Sequence, residues 1–108
     1  MIQYLLFIQI SNLQGLQILD LHDNQLESLP DSISDLSRMT KLNLSHNRLT
    51  VVPPGLYNML ELHHLQLNNN QITEIDDRIC DVNMLVTLDL AHNKLKVEMD
   101  FSIVHKYL

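Results

Sequence analysis

Six histidines, thirteen acidic residues, one cysteine and a Ser45-His46 pair are the side chains of this 108-residue chain with the means to do chemistry. A zinc-type site needs three or four ligands converging at about 2 Å. His46 and His92 occupy equivalent places two 23-residue units apart, with Asn69 at the intervening place. Strands about 4.8 Å apart would hold such a pair about 10 Å from one another, too far to share an ion. His63 and His64 are adjacent, as are His22 and Asp23. Neighbours on a strand point to opposite faces, so His63 and His64 are expected to diverge. No metal site and no cofactor are expected from this spacing.

Nucleophilic catalysis fares no better. Ser45, His46 and Asp20 supply the residue types of a triad, but no glycine elbow or oxyanion motif accompanies them. Neither GxxxxGK nor GxGxxG occurs, and with two glycines the chain has little material for a phosphate cradle. Cys80 sits beside Ile79, where a buried thiol is expected to be inert. Asp76, Asp77 and Asp81 read as a solvated helix face. The chain is therefore not expected to be an enzyme.

Charge narrows the partner classes. Seven basic residues against thirteen acidic ones give a net charge of −6. Nucleic acid is a poor partner for such a chain, because displacing phosphate counterions requires clustered Lys and Arg. Anionic membrane surfaces are disfavoured for the same reason. One cysteine permits no internal disulfide, which favours a reducing compartment and a cytoplasmic location. Asn43-Leu44-Ser45 matches a glycosylation acceptor and reads as a chance match in that setting. The opening MIQYLLFIQI has no basic start and no small-residue cleavage site, and it falls short of the ~20 residues that span a bilayer. Buried core or cap is the expectation for it.

The elements that carry these residues follow from a repeat. Leu16 to Leu26 has the form LxxLxLxxNxL, which recurs at Met39 to Leu49, Leu62 to Ile72 and Leu85 to Leu95. The asparagines Asn24, Asn47, Asn70 and Asn93 keep a constant step of 23. The rest of the unit repeats as Leu29-Pro30 with Ile33 and Leu36, Val52-Pro53 with Leu56 and Met59, and Ile75-Asp76 with Ile79 and Val82. Leu19 and Leu21 flank Asp20 with the period of a strand, whereas Leu29, Ile33 and Leu36 have the spacing of a short helical stripe. Pro30-Asp31 resembles a helix start. The expected division is a partial repeat at 1–15, full repeats at 16–38, 39–61 and 62–84, and a divergent last repeat at 85–108, where Glu98 falls in a leucine place.

The four asparagines are expected to stack as a structural ladder, because an amide can both donate to and accept from turn backbone. They would thereby do the turn-stabilising work for which the chain has few glycines.

The unit resembles the leucine-rich repeat, and its Leu-Pro-x-x-Ile half is similar to the 23-residue class of intracellular Ras-pathway and Scribble-like scaffolds. The resemblance covers about Leu6 to Leu95. It implies an α/β leucine-rich-repeat solenoid, with a parallel concave sheet and short helical segments on the convex side. It also implies a protein-protein interaction module that docks partners on outward strand positions. Those positions are Asp20, His22, Lys41, Asn43, His64, Gln66, Thr87 and Asp89. The row is polar and acid-ended, so a basic segment is the expected complement. An alternative follows from the apolar terminal stretches. Uncapped solenoid ends would self-associate, since each repeat buries its faces on its neighbours.

Overall fold

A computed structural model describes residue 10 and residues 12–96. Four three-residue strands alternate with three 3₁₀ segments. The strands are β1 (Ile18–Asp20), β2 (Lys41–Asn43), β3 (His64–Gln66) and β4 (Thr87–Asp89), and the 3₁₀ segments are Asp31–Asp35, Pro54–Asn58 and Asp77–Asp81. The strands form one parallel sheet in chain order. Ile18 pairs with Lys41, Lys41 with His64, and His64 with Thr87. Every pairing therefore advances by the sequence period, and the repeat itself fixes the register. The expected α/β solenoid with a parallel sheet is what forms.

The middle residue of each strand turns inward. Leu42 and Leu65 are buried, as are Leu44, Leu49, Leu67 and Ile72 of the same two central coils. Their counterparts Leu19, Leu21, Leu88, Leu90 and Leu95 in the outer coils are half-buried against that core. Full burial of one such leucine contributes about 1.5–3 kcal/mol. The central coils are thus the stable part of the described structure.

The helical half is 3₁₀ rather than α, and the spacing of its apolar residues fits that geometry. Ile33 donates its N–H to Pro30, Leu36 to Ile33 and Met39 to Leu36. An i to i+3 bond at each step brings the apolar residues at 33, 36 and 39 onto one side, and all three are buried. Consecutive 3₁₀ segments pack closely. A Cβ on Gly55 would sit 2.8 Å from Ile33 Cγ2 and 2.9 Å from the Asp31 carbonyl oxygen. A larger residue there has to push these neighbours apart.

Candidate functional site: the turns and outer face of the sheet

Each strand runs into a turn whose backbone is shaped by the residue before the ladder asparagine. Asp23, His46, Asn69 and His92 have φ between 56° and 58°. This left-handed conformation is open to Asp, Asn and His at modest strain because short polar groups tolerate it. The place that glycine would have filled is therefore one residue earlier than the ladder asparagine.

The asparagines have a different task. Asn47 Oδ1 accepts the N–H of Leu26, Asn70 Oδ1 that of Leu49, and Asn93 Oδ1 that of Ile72. Each side chain thus reaches back one repeat. Its amide nitrogen bonds carbonyls on both sides of the join. Asn47 Nδ2 donates to Leu21, Leu44 and Ser45. Asn70 Nδ2 donates to Leu44, Leu67 and Asn68. Asn93 Nδ2 donates to Leu67, Leu90 and Ala91. Asn24, which is exposed, donates to Leu21 and His22 of its own coil.

The strand-end row has a structural duty that its sequence pattern had not suggested. Asp20 Oδ1 accepts the N–H of His22, Asn43 Oδ1 that of Ser45, and Asp89 Oδ1 that of Ala91. These side chains cap the turn as well as lining the face. Gln66 occupies the same place in β3, and the next residue but one, Asn68, carries a buried amide oxygen with no hydrogen-bond partner.

On the outer side of the sheet lies a shallow hollow of about 330 Å³, lined by Ile18, Leu19, Asp20, Lys41, Leu42, Asn43, His64, Gln66 and Thr87. It brings six of the eight expected docking residues together. His22 and Asp89 lie outside it. His64 Nδ1 is 2.7 Å from Thr87 Oγ1, which ties β3 to β4 across the face. The expected divergence of His63 and His64 does not occur. His63 precedes the strand, its Nδ1 lies 2.6 Å from the Glu61 carbonyl oxygen, and the two rings are 6.5 Å apart. Alternation governs residues inside a strand, and His63 is not in one.

Electrostatics concentrate at the first turn. His22 Nδ1 bonds Asp20 Oδ1, and this hydrogen bond raises the imidazole pKa above its ordinary value while lowering that of the carboxyl. On the convex side Asp76 accepts from the Arg78 backbone and guanidinium, which lowers the Asp76 pKa. Arg78 also lies over the Tyr57 ring at 4.6 Å. The recurrence of Asp, His and Asn before each ladder asparagine was the signal for the left-handed turns. The Asp76–Arg78–Tyr57 cluster had no signal in the pattern.

The arrangement offers no catalytic geometry at Ser45. Its hydroxyl donates to Asn43 Oδ1 at 2.7 Å, it is 6% exposed, and His46 faces Asp23 instead. Among the described residues no three His, Cys, Asp or Glu side chains converge to hold a metal ion. Among the same residues no helix is long and apolar enough to cross a membrane.

Comparison with known proteins agrees with this geometry. The family model described as leucine rich repeat matches residues 8–49 and 37–95. A solved leucine-rich-repeat protein of Leptospira interrogans is similar at 29% identity and a TM-score of 0.83, over 92% of this chain and 25% of the other. An internalin of Listeria monocytogenes is similar in fold at 22% identity and a TM-score of 0.73, over 82% of this chain and 25% of the other. The chain thus spans about a quarter of the length of either structure.

Proposed function

The chain belongs to the leucine-rich-repeat family, and from that premise we propose that it is a non-catalytic adaptor that docks a protein partner on the concave strand face. Proteins of this family generally act as protein-interaction modules. The observation that supports the concave face is the 330 Å³ hollow, which gathers Asp20, Lys41, Asn43, His64, Gln66 and Thr87 on one side of the sheet. Among the described residues no Trp, Tyr or Arg lines it. Those types dominate tight hot spots, so the contact is polar and of modest strength. The partner contributes a basic segment, and the setting is a cytoplasmic scaffold of the Ras-pathway or Scribble-like kind. The stretches Ile18–Pro30 and Lys41–Leu49, which are similar to leucine-rich repeat-containing protein 40, favour that class.

A photocrosslinking residue at Gln66, compared with one at Asp35 on the convex side, tests the docking face. Discrete adducts from position 66 and none from 35 are expected. The reverse pattern refutes the assignment.

A second reading has its own observation. Leu88, Leu90 and Leu95 are half-buried where Leu65, Leu67 and Ile72 are fully buried. That part-exposed leucine surface favours self-association. Sedimentation velocity over a hundredfold range of concentration distinguishes the two, because end-to-end assembly gives growing species and an adaptor stays monomeric.

A further inference from the structure

Four side chains form a line across the first two turns. His22 Nδ1 bonds Asp20 Oδ1, and His22 Nε2 lies 3.6 Å from Asp23 Oδ2. The other oxygen of Asp23 is 4.0 Å from His46 Nδ1. The His22 imidazole is therefore held between two carboxylates. All three side chains are about half exposed or more, so solvent and partner can reach them.

The turn does not need a histidine there. The equivalent residues of later repeats are Ser45, Asn68 and Ala91, and two of those turns are capped by Asn43 and Asp89 in the same manner as Asp20 caps this one. In the first repeat alone, the group between the strand-end carboxylate and the left-handed residue is titratable. Asp20 meanwhile lines the hollow, and among the described residues Lys41 of β2 is the other charged side chain there. Among the described residues, the groups that face His22 are Asp20 and Asp23 of its own turn. His46 stands beyond Asp23, and the neutral Asn43 and Ser45 stand on the neighbouring strand and turn.

We propose that His22 is a proton gate on the concave docking face: as imidazolium it occupies Asp20 and Asp23, and as neutral imidazole it leaves both carboxylates to a Lys or Arg of a basic partner segment. This rests on the docking reading above. The proton and the partner's cation compete for the same oxygens, so binding one weakens the other by an equal factor. The hydrogen bond to Asp20 raises the proton affinity of His22 above that of an ordinary imidazole. Affinity for a cationic segment therefore rises with pH. Exposed charge pairs are weak, so the gain is about two- to fivefold across the transition.

The test uses a deca-lysine peptide whose N-terminal amine is blocked by a tetramethylrhodamine label, so that the lysines set its charge and that charge is constant between pH 6 and 8. Its Kd is measured by anisotropy at both pH values for the wild-type chain and His22→Gln, at low salt. The His22 Cε1 proton is titrated by NMR with and without peptide. The proposal expects tighter binding at pH 8 in the wild type, a clearly smaller rise in His22→Gln, and a His22 midpoint that falls when peptide is present. Melting curves confirm that the variant is folded, and the NMR titration of the wild type stands even where it is not. Concave-face binding with no pH dependence, or with the same dependence in His22→Gln, overturns the gate and leaves the docking face standing. Absence of peptide-induced shifts at Lys41 and Gln66 at both pH values overturns the docking face for basic segments, and the gate with it.

Discussion

Replacing Asn47 with alanine isolates what the ladder contributes. The side chain is 8% exposed and makes four hydrogen bonds. The three carbonyls it serves each keep another donor: Asn24 Nδ2 at Leu21, Asn70 Nδ2 at Leu44 and the Asp23 N–H at Ser45. The N–H of buried Leu26 relies on Asn47 Oδ1. An orphaned buried donor costs about 1–3 kcal/mol. With a smaller loss at the shared carbonyls, Asn47→Ala is expected to destabilise by about 2–3 kcal/mol. Asn47→Asp is the sharper variant. It retains the acceptor but turns a carboxylate oxygen toward three carbonyls, so it is expected to be at least as damaging as alanine. Exposed Asn24, which bonds only its own coil among the hydrogen bonds described, is expected to cost under about 1 kcal/mol as alanine. Urea denaturation followed by circular dichroism supplies the energies, and amide exchange at Leu26 supplies the local signature. An Asn47→Ala protein within about 0.5 kcal/mol of wild type, or equal to Asn24→Ala, refutes the ladder as a stabilising device.

Other predictions follow from single contacts. Gly55→Ala is expected to cost about 1–3 kcal/mol by driving a methyl into Ile33 and the Asp31 carbonyl, read from urea midpoints. His46→Gly is expected to be near neutral, whereas His46→Val should lose about 1–2 kcal/mol, because a β-branched residue resists a φ of 56°. Asp76 has a depressed pKa from its bonds to Arg78. Its contribution is therefore present above the unfolded carboxylate pKa of about 3.9 and lost as pH falls through the lower folded value. Asp76→Ala should accordingly flatten the acid limb of a melting-temperature profile between pH 5 and 2. Asn43→Ala is expected to cost about 1 kcal/mol, since it releases the Ser45 N–H and hydroxyl. A value indistinguishable from zero contradicts the capping role.

The leucine pattern made the solenoid legible, because a constant step of 23 leaves one register in which Leu19, Leu42, Leu65 and Leu88 all face inward. The reach of each asparagine into the preceding coil is a consequence of that stacking. The sign of a backbone angle is not written in an apolar pattern, so the leucines do not reveal that Asp23, His46, Asn69 and His92 make the left-handed turns. Their recurrence as Asp, His and Asn was the available clue. The strand-end row has the pattern of a surface and nothing in it marks a cap. Its capping bonds to His22, Ser45 and Ala91 depend on the chain turning immediately after the strand. Strand length was also invisible: a three-residue strand leaves His63 outside the alternation that would have set it opposite His64. The Glu98 departure lies outside the described residues.

The docking claim is tested most directly by partner affinity in two charge variants measured side by side. Asp20→Asn with Asp89→Asn removes charge from the concave face while keeping the turn caps, as native Asn43 demonstrates. Asp31→Asn with Asp35→Asn removes the same charge from a convex segment. With the partner captured from position 66, the concave pair is expected to weaken binding and reduce its salt dependence, since exposed charges act over about 8–10 Å at physiological ionic strength. The convex pair should leave affinity within twofold of wild type. Loss of binding in the convex pair with full affinity in the concave pair would place the partner on the other side of the solenoid.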